Sequence, residues 1–338
     1  MKKDLVSYYN DLEDSKKSPK KIWLVISILS FVLSILFLSG ITGNVIGIEK
    51  NVSYFGLVFI LVGIFSIVIY QKEGWQIRKV SYAYIHNVDE KDMNKLVESL
   101  ELKNNLIIGD FMCGYGDVTK HILDYSKKNN IINLIIFSSD LYKKQLDRIN
   151  EYVTPDVIAN ARVMKRISDI RNLKFPANKF DRVVIKMGLH EILHKEQLGA
   201  AKQIYRVLKK DGIFSTWDVM PNTKEGQLLF QKIIRKKDEL AGFGNFAKRR
   251  YFFREDEIKK TLKEAGFRDI KFYHEIKYRL ETHKRLEQEF NNDKNKLIEW
   301  NDYVRKIVPE SMKKAIDYKD NGDSIAMTFR KGIITAKR

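Results

Sequence analysis

The sequence predicts an α/β chain, a doubly wound and mostly parallel sheet preceded by two transmembrane helices. Two observations predict it. From Leu106 onward, short apolar runs alternate with helical stretches. That order gives a parallel sheet with helices on both faces. Ahead of it, Ile22 to Ile48 carries no charged residue, and neither does Ser53 to Tyr70. The 338 residues are 44% hydrophobic, enough for a sizeable core, and 5 prolines leave no room for long Pro-rich linkers.

The two apolar runs come first. A helix needs about 20 apolar residues to cross the hydrocarbon core. Ile22–Ile48 is ample, and Ser53–Tyr70 is near the short end. Asn44, Gly47, Glu49, Lys50 and Asn51 link them, so the pair reads as a helical hairpin. Lys16, Lys17, Lys20 and Lys21 precede it, and Lys72, Arg78 and Lys79 follow. By the positive-inside rule both ends lie in the cytosol. The expected product is a multi-pass membrane protein with its α/β domain cytosolic. Its parts are a tail at 1–21, a hairpin at 22–70, an amphipathic connector at 71–104 and an α/β domain at 105–338. In the connector Trp75, Ile77, Val80, Tyr82 and Tyr84 alternate with polar residues.

The strands of the α/β domain are expected at Leu106–Gly109, Ile131–Phe137, Arg162–Ile167, Arg182–Met187 and Gly212–Trp217. Helices are expected at 117–128, 141–152 and 195–209. Beyond Val219 the order is helix 223–240, helix 255–265, strand 269–278, a charged helical insertion at 281–316, and a last strand or hairpin at 324–336. In the insertion Leu286, Phe290, Leu297, Trp300 and Val304 recur at helical spacing, which suits a core or an acceptor lid equally.

The net charge is +18, from 61 Lys and Arg against 43 Asp and Glu. This favours an anionic contact: nucleic acid, an acidic lipid surface or an acidic substrate. Cys113 is the one cysteine, which excludes an intrachain disulfide and a cysteine-based metal cluster.

Chemistry concentrates in Leu106-Ile-Ile-Gly-Asp-Phe-Met-Cys-Gly-Tyr-Gly-Asp117. A strand ends in Asp110, a loop with Gly114 and Gly116 follows, and a helix begins. Glycine lets a ligand approach the backbone, and the helix start offers unpaired N–H groups. The next strand ends in Ser138-Ser139-Asp140, and a carboxylate there suits a ribose diol. At that point NAD and S-adenosylmethionine fit equally. The third element separates them: Ser168-Asp-Ile-Arg-Asn-Leu-Lys-Phe-Pro-Ala-Asn-Lys-Phe-Asp181, then Gly188-Leu-His-Glu191, and Arg206-Val-Leu-Lys-Lys-Asp-Gly212.

On those residues, 106–219 resembles the class I S-adenosylmethionine-dependent methyltransferases, in particular the small-molecule and quinone enzymes. Glu264-Ala-Gly-Phe267 extends the resemblance weakly, and the hairpin and the 281–316 insertion lie outside it. The resemblance implies a seven-stranded sheet and S-adenosyl-L-methionine as cofactor. Asp110, Cys113, Gly114 and Gly116 would line its methionine end. Asp140, followed by Leu141 in the same pocket, would hold the ribose, and Asp169 with Ile170 the adenine. Lys186 would stand near the sulfonium face with its side chain turned away. Met112 replaces the family's first glycine, and Lys210-Asp211 replaces Pro-Gly.

His190 is the candidate base beside the methyl position, with Glu191 and His194 behind it. His190-Glu-Ile-Leu-His194 also matches the zinc peptidase pattern, but it directly follows a buried strand where the methyltransferase pattern has Leu-His-Glu. No metal is assigned. The acceptor is expected to be a small molecule, a quinone or a membrane lipid. Arg249 to Phe253 is either a place for an anionic acceptor or a basic surface over core aromatics. Two alternatives stay open: a nucleic-acid methyltransferase, which lacks its usual Pro-Pro-aromatic motif after strand four, and a tethered binding module without turnover.

Overall fold

The computed structural model describes residues 23–35, 57–68, 90–151, 153, 161–242 and 247–338. Helix α1 spans 23–35 and α2 spans 57–68. The Ser27 hydroxyl donates to the Gly63 carbonyl oxygen at 3.3 Å, so the two helices touch at a serine and a glycine. The expected membrane location is corrected here. Among the described residues no helix is long and apolar enough to cross a membrane. The two expected spans, the multi-pass placement and the membrane as partner therefore go without support. The tail at 1–21, the link at 44–51 and the connector aromatics Trp75 to Tyr84 lie outside the described residues.

Helix α3 (Glu90–Glu98) opens the α/β domain. Strand β1 (Ile107–Phe111), α4 (Asp117–Lys128), β2 (Leu134–Asp140), α5 (Lys143–Arg148) and β3 (Ala161–Ile167) follow. Next come β4 (Phe180–Lys186), α6 (His194–Val207), β5 (Leu208–Val219), α7 (Lys224–Leu240), α8 (Glu255–Glu264) and β6 (Arg268–Glu281). The chain closes with α9 (Lys284–Gln288), α10 (Lys294–Ile307), α11 (Glu310–Lys313), β7 (Lys319–Asp320) and β8 (Ile325–Lys337). The main sheet runs β3-β2-β1-β4-β5-β8-β6, with short β7 paired to β8. The five strands from β3 to β5 are mutually parallel, and β8 is antiparallel to both of its long neighbours.

Sequence pattern explains most of this. Strands β1, β4 and β5 are buried nearly end to end, as central parallel strands must be. Helix α4 starts after Gly116, which caps it at φ 84°. Strand β2 begins three residues later than its apolar run, because Asn130 and Asn133 adopt left-handed turns at φ 52° and 60°. Asn104 ties this turn down by accepting from the Ile132 N–H at 3.0 Å.

The core lies in layers on both faces. Helices α6 and α8 cover one, over Phe111, Phe137, Phe175 and Phe180, whose rings meet at 5.0–5.7 Å. Each such ring pair adds about 0.5–1.5 kcal/mol beyond area burial. Helices α3 and α4 cover the other face. In the 281–316 insertion, Phe290, Leu297, Trp300 and Val304 bury against α7, and the Trp300 indole donates to the Ile233 carbonyl oxygen at 3.0 Å. The periodicity of the insertion is therefore core periodicity.

Candidate functional site

The site forms where the parallel strands end. Asp110 is completely buried in β1. One carboxyl oxygen accepts from the Thr119 hydroxyl at 2.6 Å, while the other is buried with no partner among the described residues. Burial, helped by the negative Asp117 and Asp140, pushes this carboxyl up to about 7. A buried acceptor oxygen without a donor is costly unless a ligand supplies the donor.

The loop above it is built for close approach. Gly114 has φ 54°, and a side chain added there would meet nothing within 4 Å. Met112, standing where the family has glycine, also has φ 54°. The loop thus keeps the glycine conformation with a methionine in it, at some strain. The Met112 sulfur fills the space beside Gly188, 2.9 Å from where a Cβ would stand. Cys113 is buried, and burial with the nearby carboxylates pushes its thiol well up, so it stays protonated.

Asp140 ends β2. Its carboxylate accepts from the Gly114 N–H at 2.9 Å and the Tyr142 N–H at 3.0 Å, fixing the glycine loop against β2. Burial nevertheless raises its pKa. Each oxygen retains a lone pair for a hydroxyl. Leu141 beside it is partly buried. Asp169 caps a single helical turn at Ile170–Asn172 and pairs with Arg171 at 2.8 Å, and Arg171 reaches Glu196 at 2.9 Å. This carboxylate is already engaged by a guanidinium, which the sequence did not foretell. Burial is more than offset by those bonds, so its pKa is lowered. Ile170 is buried in the aromatic layer.

On the other side of the loop, Lys186 ends β4 and pairs with Asp117, the first residue of α4. Burial acts against it, yet His121 and Lys186 hold the Asp117 carboxyl down to about 2. Lys186 also stands 5.5 Å from the Trp217 ring.

His190 lies in a one-turn helix at Leu189–Glu191 and is 4% exposed. Its Nδ1 meets the Asp218 carboxylate at 2.6 Å, and its backbone N–H donates to the same carboxylate at 3.2 Å. A carboxylate only accepts, so Nδ1 carries the proton and Nε2 of the neutral ring is the basic nitrogen. The Phe252 ring stacks on it at 4.8 Å. Glu191 is partly exposed, 3.9 Å from Arg250. Burial raises its pKa, against the pull of His190 and Arg250. His194 starts α6, stacks on Tyr251 at 3.8 Å and bonds Gln197 at 3.0 Å. The two histidines of the zinc-like pattern thus sit on different elements with different partners. Among the described residues no group of His, Cys, Asp and Glu could hold a metal.

The sequence reading missed Asp218. It lies 28 residues from His190 and carries no motif of its own; an acid at the end of the fifth strand was the available signal. The segment Arg249 to Phe253 splits: Phe252 and Phe253 are buried, and Arg250 pairs with Asp238 at 3.1 Å.

With this geometry in place, the comparisons fall together. Residues 108–212 match the family model described as a methyltransferase domain. The chain is 25% identical over 175 residues to a sterol 24-C-methyltransferase of Aspergillus fumigatus, covering 51% of this chain and 42% of that one. It is 28% identical over 116 residues to a ubiquinone/menaquinone biosynthesis C-methyltransferase of Hydrogenovibrio crunogenus, covering 34% and 43%. It spans under half the length of either relative. Among solved structures, a Bacillus halodurans protein assigned as a methyltransferase aligns with TM-score 0.60 at 17% identity, covering 73% of this chain and 98% of that one. The YcgJ protein of Bacillus subtilis aligns with TM-score 0.60 at 13% identity, covering 74% and 99%. These structures share the fold. The chain carries a methyltransferase domain of the class I, S-adenosylmethionine-dependent kind.

Proposed function

We propose that the chain transfers a methyl group from S-adenosylmethionine to a small-molecule acceptor. The observation that carries this reading is the buried Asp110 oxygen, without a partner among the described residues, set under an open glycine loop inside the matched segment. The residues present fit the cofactor. Asp110 would accept from its ammonium, directly or through water. Gly114 and Gly116 leave space along its methionine end, with Cys113 in the loop and Lys186 across from it. Asp140 would accept from the ribose hydroxyls beside Leu141, and Asp169 with Ile170 would border the adenine.

When bound, the cofactor supplies a methyl group already activated by a sulfonium leaving group. The protein's own part is therefore orientation, exclusion of water and removal of one proton. His190 takes the acceptor's proton at Nε2. Asp218 fixes the ring's orientation and tautomer and stabilises the imidazolium that results. Phe252 shields the pair from water. Glu191, next to His190 in the same one-turn helix, is the second residue proposed for the acceptor side. The names of the two curated relatives favour a lipid-soluble acceptor, which can itself carry an ionised group.

The test is transfer of radiolabelled methyl from S-adenosylmethionine to fractionated lipid and quinone extracts. Label should enter one organic-soluble product with the wild-type chain and fall steeply with His190→Ala. A folded wild-type chain that binds S-adenosylhomocysteine but labels no small molecule in any fraction would overturn the acceptor class.

A further inference from the structure

Lys331 lies on β8 directly across from Val219, the last residue of β5. Its ammonium stands 4.0 Å from the Tyr278 ring and 5.8 Å from the Trp217 ring. Lys186 approaches the same Trp217 ring at 5.5 Å. Two ammonium groups therefore share one indole at the edge where the candidate site lies. They differ in compensation. Lys186 has Asp117. Lys331 is partly buried, and among the described residues no carboxylate pairs with it.

A second observation points the same way. Trp217 is 3% exposed, and its indole N–H is buried without a partner among the described residues. Arg285 adds positive charge from behind, donating to the Tyr278 hydroxyl at 2.7 Å. The cluster thus offers an ammonium and an indole N–H, and among the described residues neither has a hydrogen-bond acceptor or carboxylate paired with it. Buried donors and uncompensated cations are retained where something accepts from them.

We infer that Lys331 and Trp217 hold an oxyanion of the methyl acceptor, so that the acceptor is a small molecule bearing a carboxylate or a phosphate. This rests on the methyltransferase reading, since it places the anion on the acceptor rather than on the cofactor.

The electrostatics agree. Burial first, then the like charges of Lys186 and Arg285, pull the Lys331 ammonium down to about 8, against the opposing pull of Asp218 and Asp92. A bound anion would restore the charge and raise that value. Aromatic faces hold the ammonium in place meanwhile.

The experiment uses the full chain with lysine labelled by carbon-13 at Cε, saturated with S-adenosylhomocysteine, and Lys331→Gln to assign its resonance. The probes are benzoate, inorganic phosphate and neutral benzamide. The Lys331 resonance should titrate well below ordinary lysine. It should move upward in pH with benzoate or phosphate and stay put with benzamide. Response to only one of the two anions identifies the carboxylate or the phosphate. Tightening of probe binding by the bound S-adenosylhomocysteine ties the anion to the acceptor. A Lys331 that titrates as an ordinary lysine, or ignores both anions while S-adenosylhomocysteine binds normally, overturns the inference and leaves the methyltransferase reading intact. Anion response without any S-adenosylhomocysteine binding overturns the methyltransferase reading and, with it, the identity of the anion as an acceptor. Lys331→Met, a neutral side chain of similar reach, guards against a folding artefact: its probe binding should fall at least about tenfold, as expected for loss of a charged hydrogen bond, with S-adenosylhomocysteine affinity unchanged.

Discussion

Two halves of the same sheet edge differ in charge: one is lined mainly by carboxylates, and the other adds Lys186 and Lys331 to the Asp218 carboxylate. Over β1 and β2 stand Asp110, Asp117 and Asp140; over β4, β5 and β8 stand Lys186 and Lys331, with Arg285 behind Tyr278. The acidic half suits a cofactor that is positive at its ammonium and sulfonium. The basic half suits an acceptor with negative charge. Lys186 and Asp117 meet at the seam, so each half is anchored by one residue of the other. The halves also differ in how their groups are held. Asp140 is fixed by the backbone N–H groups of Gly114 and Tyr142, whereas His190 is fixed by a side chain, that of Asp218. On the proposed reading, the cofactor's partners come mostly from residues 110–141, with Asp169, Ile170 and Lys186 added from β3 and β4 onward, and the acceptor's partners come from segments farther along the chain.

The largest expected effect is on the basic half. His190→Ala should lower turnover by about 100-fold or more, the usual contribution of a positioned base. S-adenosylhomocysteine affinity should stay unchanged in calorimetry, because the role proposed for His190 is on the acceptor side. Asp218→Asn should give a smaller loss of turnover by leaving the ring in the wrong tautomer. If instead His190→Ala abolishes cofactor binding, the division between the halves fails.

Asp110→Asn keeps the shape and removes the charge. Cofactor affinity should weaken by about 10- to 100-fold, the worth of a hydrogen bond to a charged group. Titration calorimetry reads this directly, and unchanged affinity would remove Asp110 from the site.

Gly188→Ala tests the seam sterically. The new methyl would meet the Met112 sulfur and the Ile185 side chain, both at 2.9 Å. Stability should drop by about 1–3 kcal/mol in denaturant unfolding, as overpacking does. Adding Met112→Ala should recover part of it, since contacting sites couple. Strict additivity would mean that the two halves do not touch there.

The smallest effect is on pH. Asp110 is raised to about 7 by burial, so it gains a proton as pH falls through neutrality. A protonated carboxyl accepts an ammonium poorly. S-adenosylhomocysteine affinity should therefore rise a few-fold between about pH 6 and pH 8. The same raised pKa favours folding toward the acidic side, so stability should not rise with this affinity. In Asp110→Asn the affinity slope should vanish.

Much of the acidic half was legible in the sequence. The glycine loop, Asp110, the helix at 117–128 and Asp140 follow each other within some thirty residues, and local chemistry dictates their conformation. Even there, hydropathy placed β2 three residues early, because apolar content cannot tell an Asn-led turn from the strand it enters. The pairing of Asp169 with Arg171 was also invisible, since the motif gave the acid a role and said nothing of its neighbour. The basic half was mostly hidden. Lys331 joins Trp217 only because β8 inserts between β5 and β6, and no periodicity announces a pairing across more than 100 residues. The two apolar N-terminal runs suggested spans by composition alone, yet among the described residues no helix is long and apolar enough to cross a membrane.

The most direct test of the central claim is calorimetric titration of the full chain with S-adenosylhomocysteine. Saturable one-site binding at micromolar concentration, weakened in Asp110→Asn, is the predicted result. A folded chain that releases no heat with S-adenosylhomocysteine or S-adenosylmethionine would contradict the account.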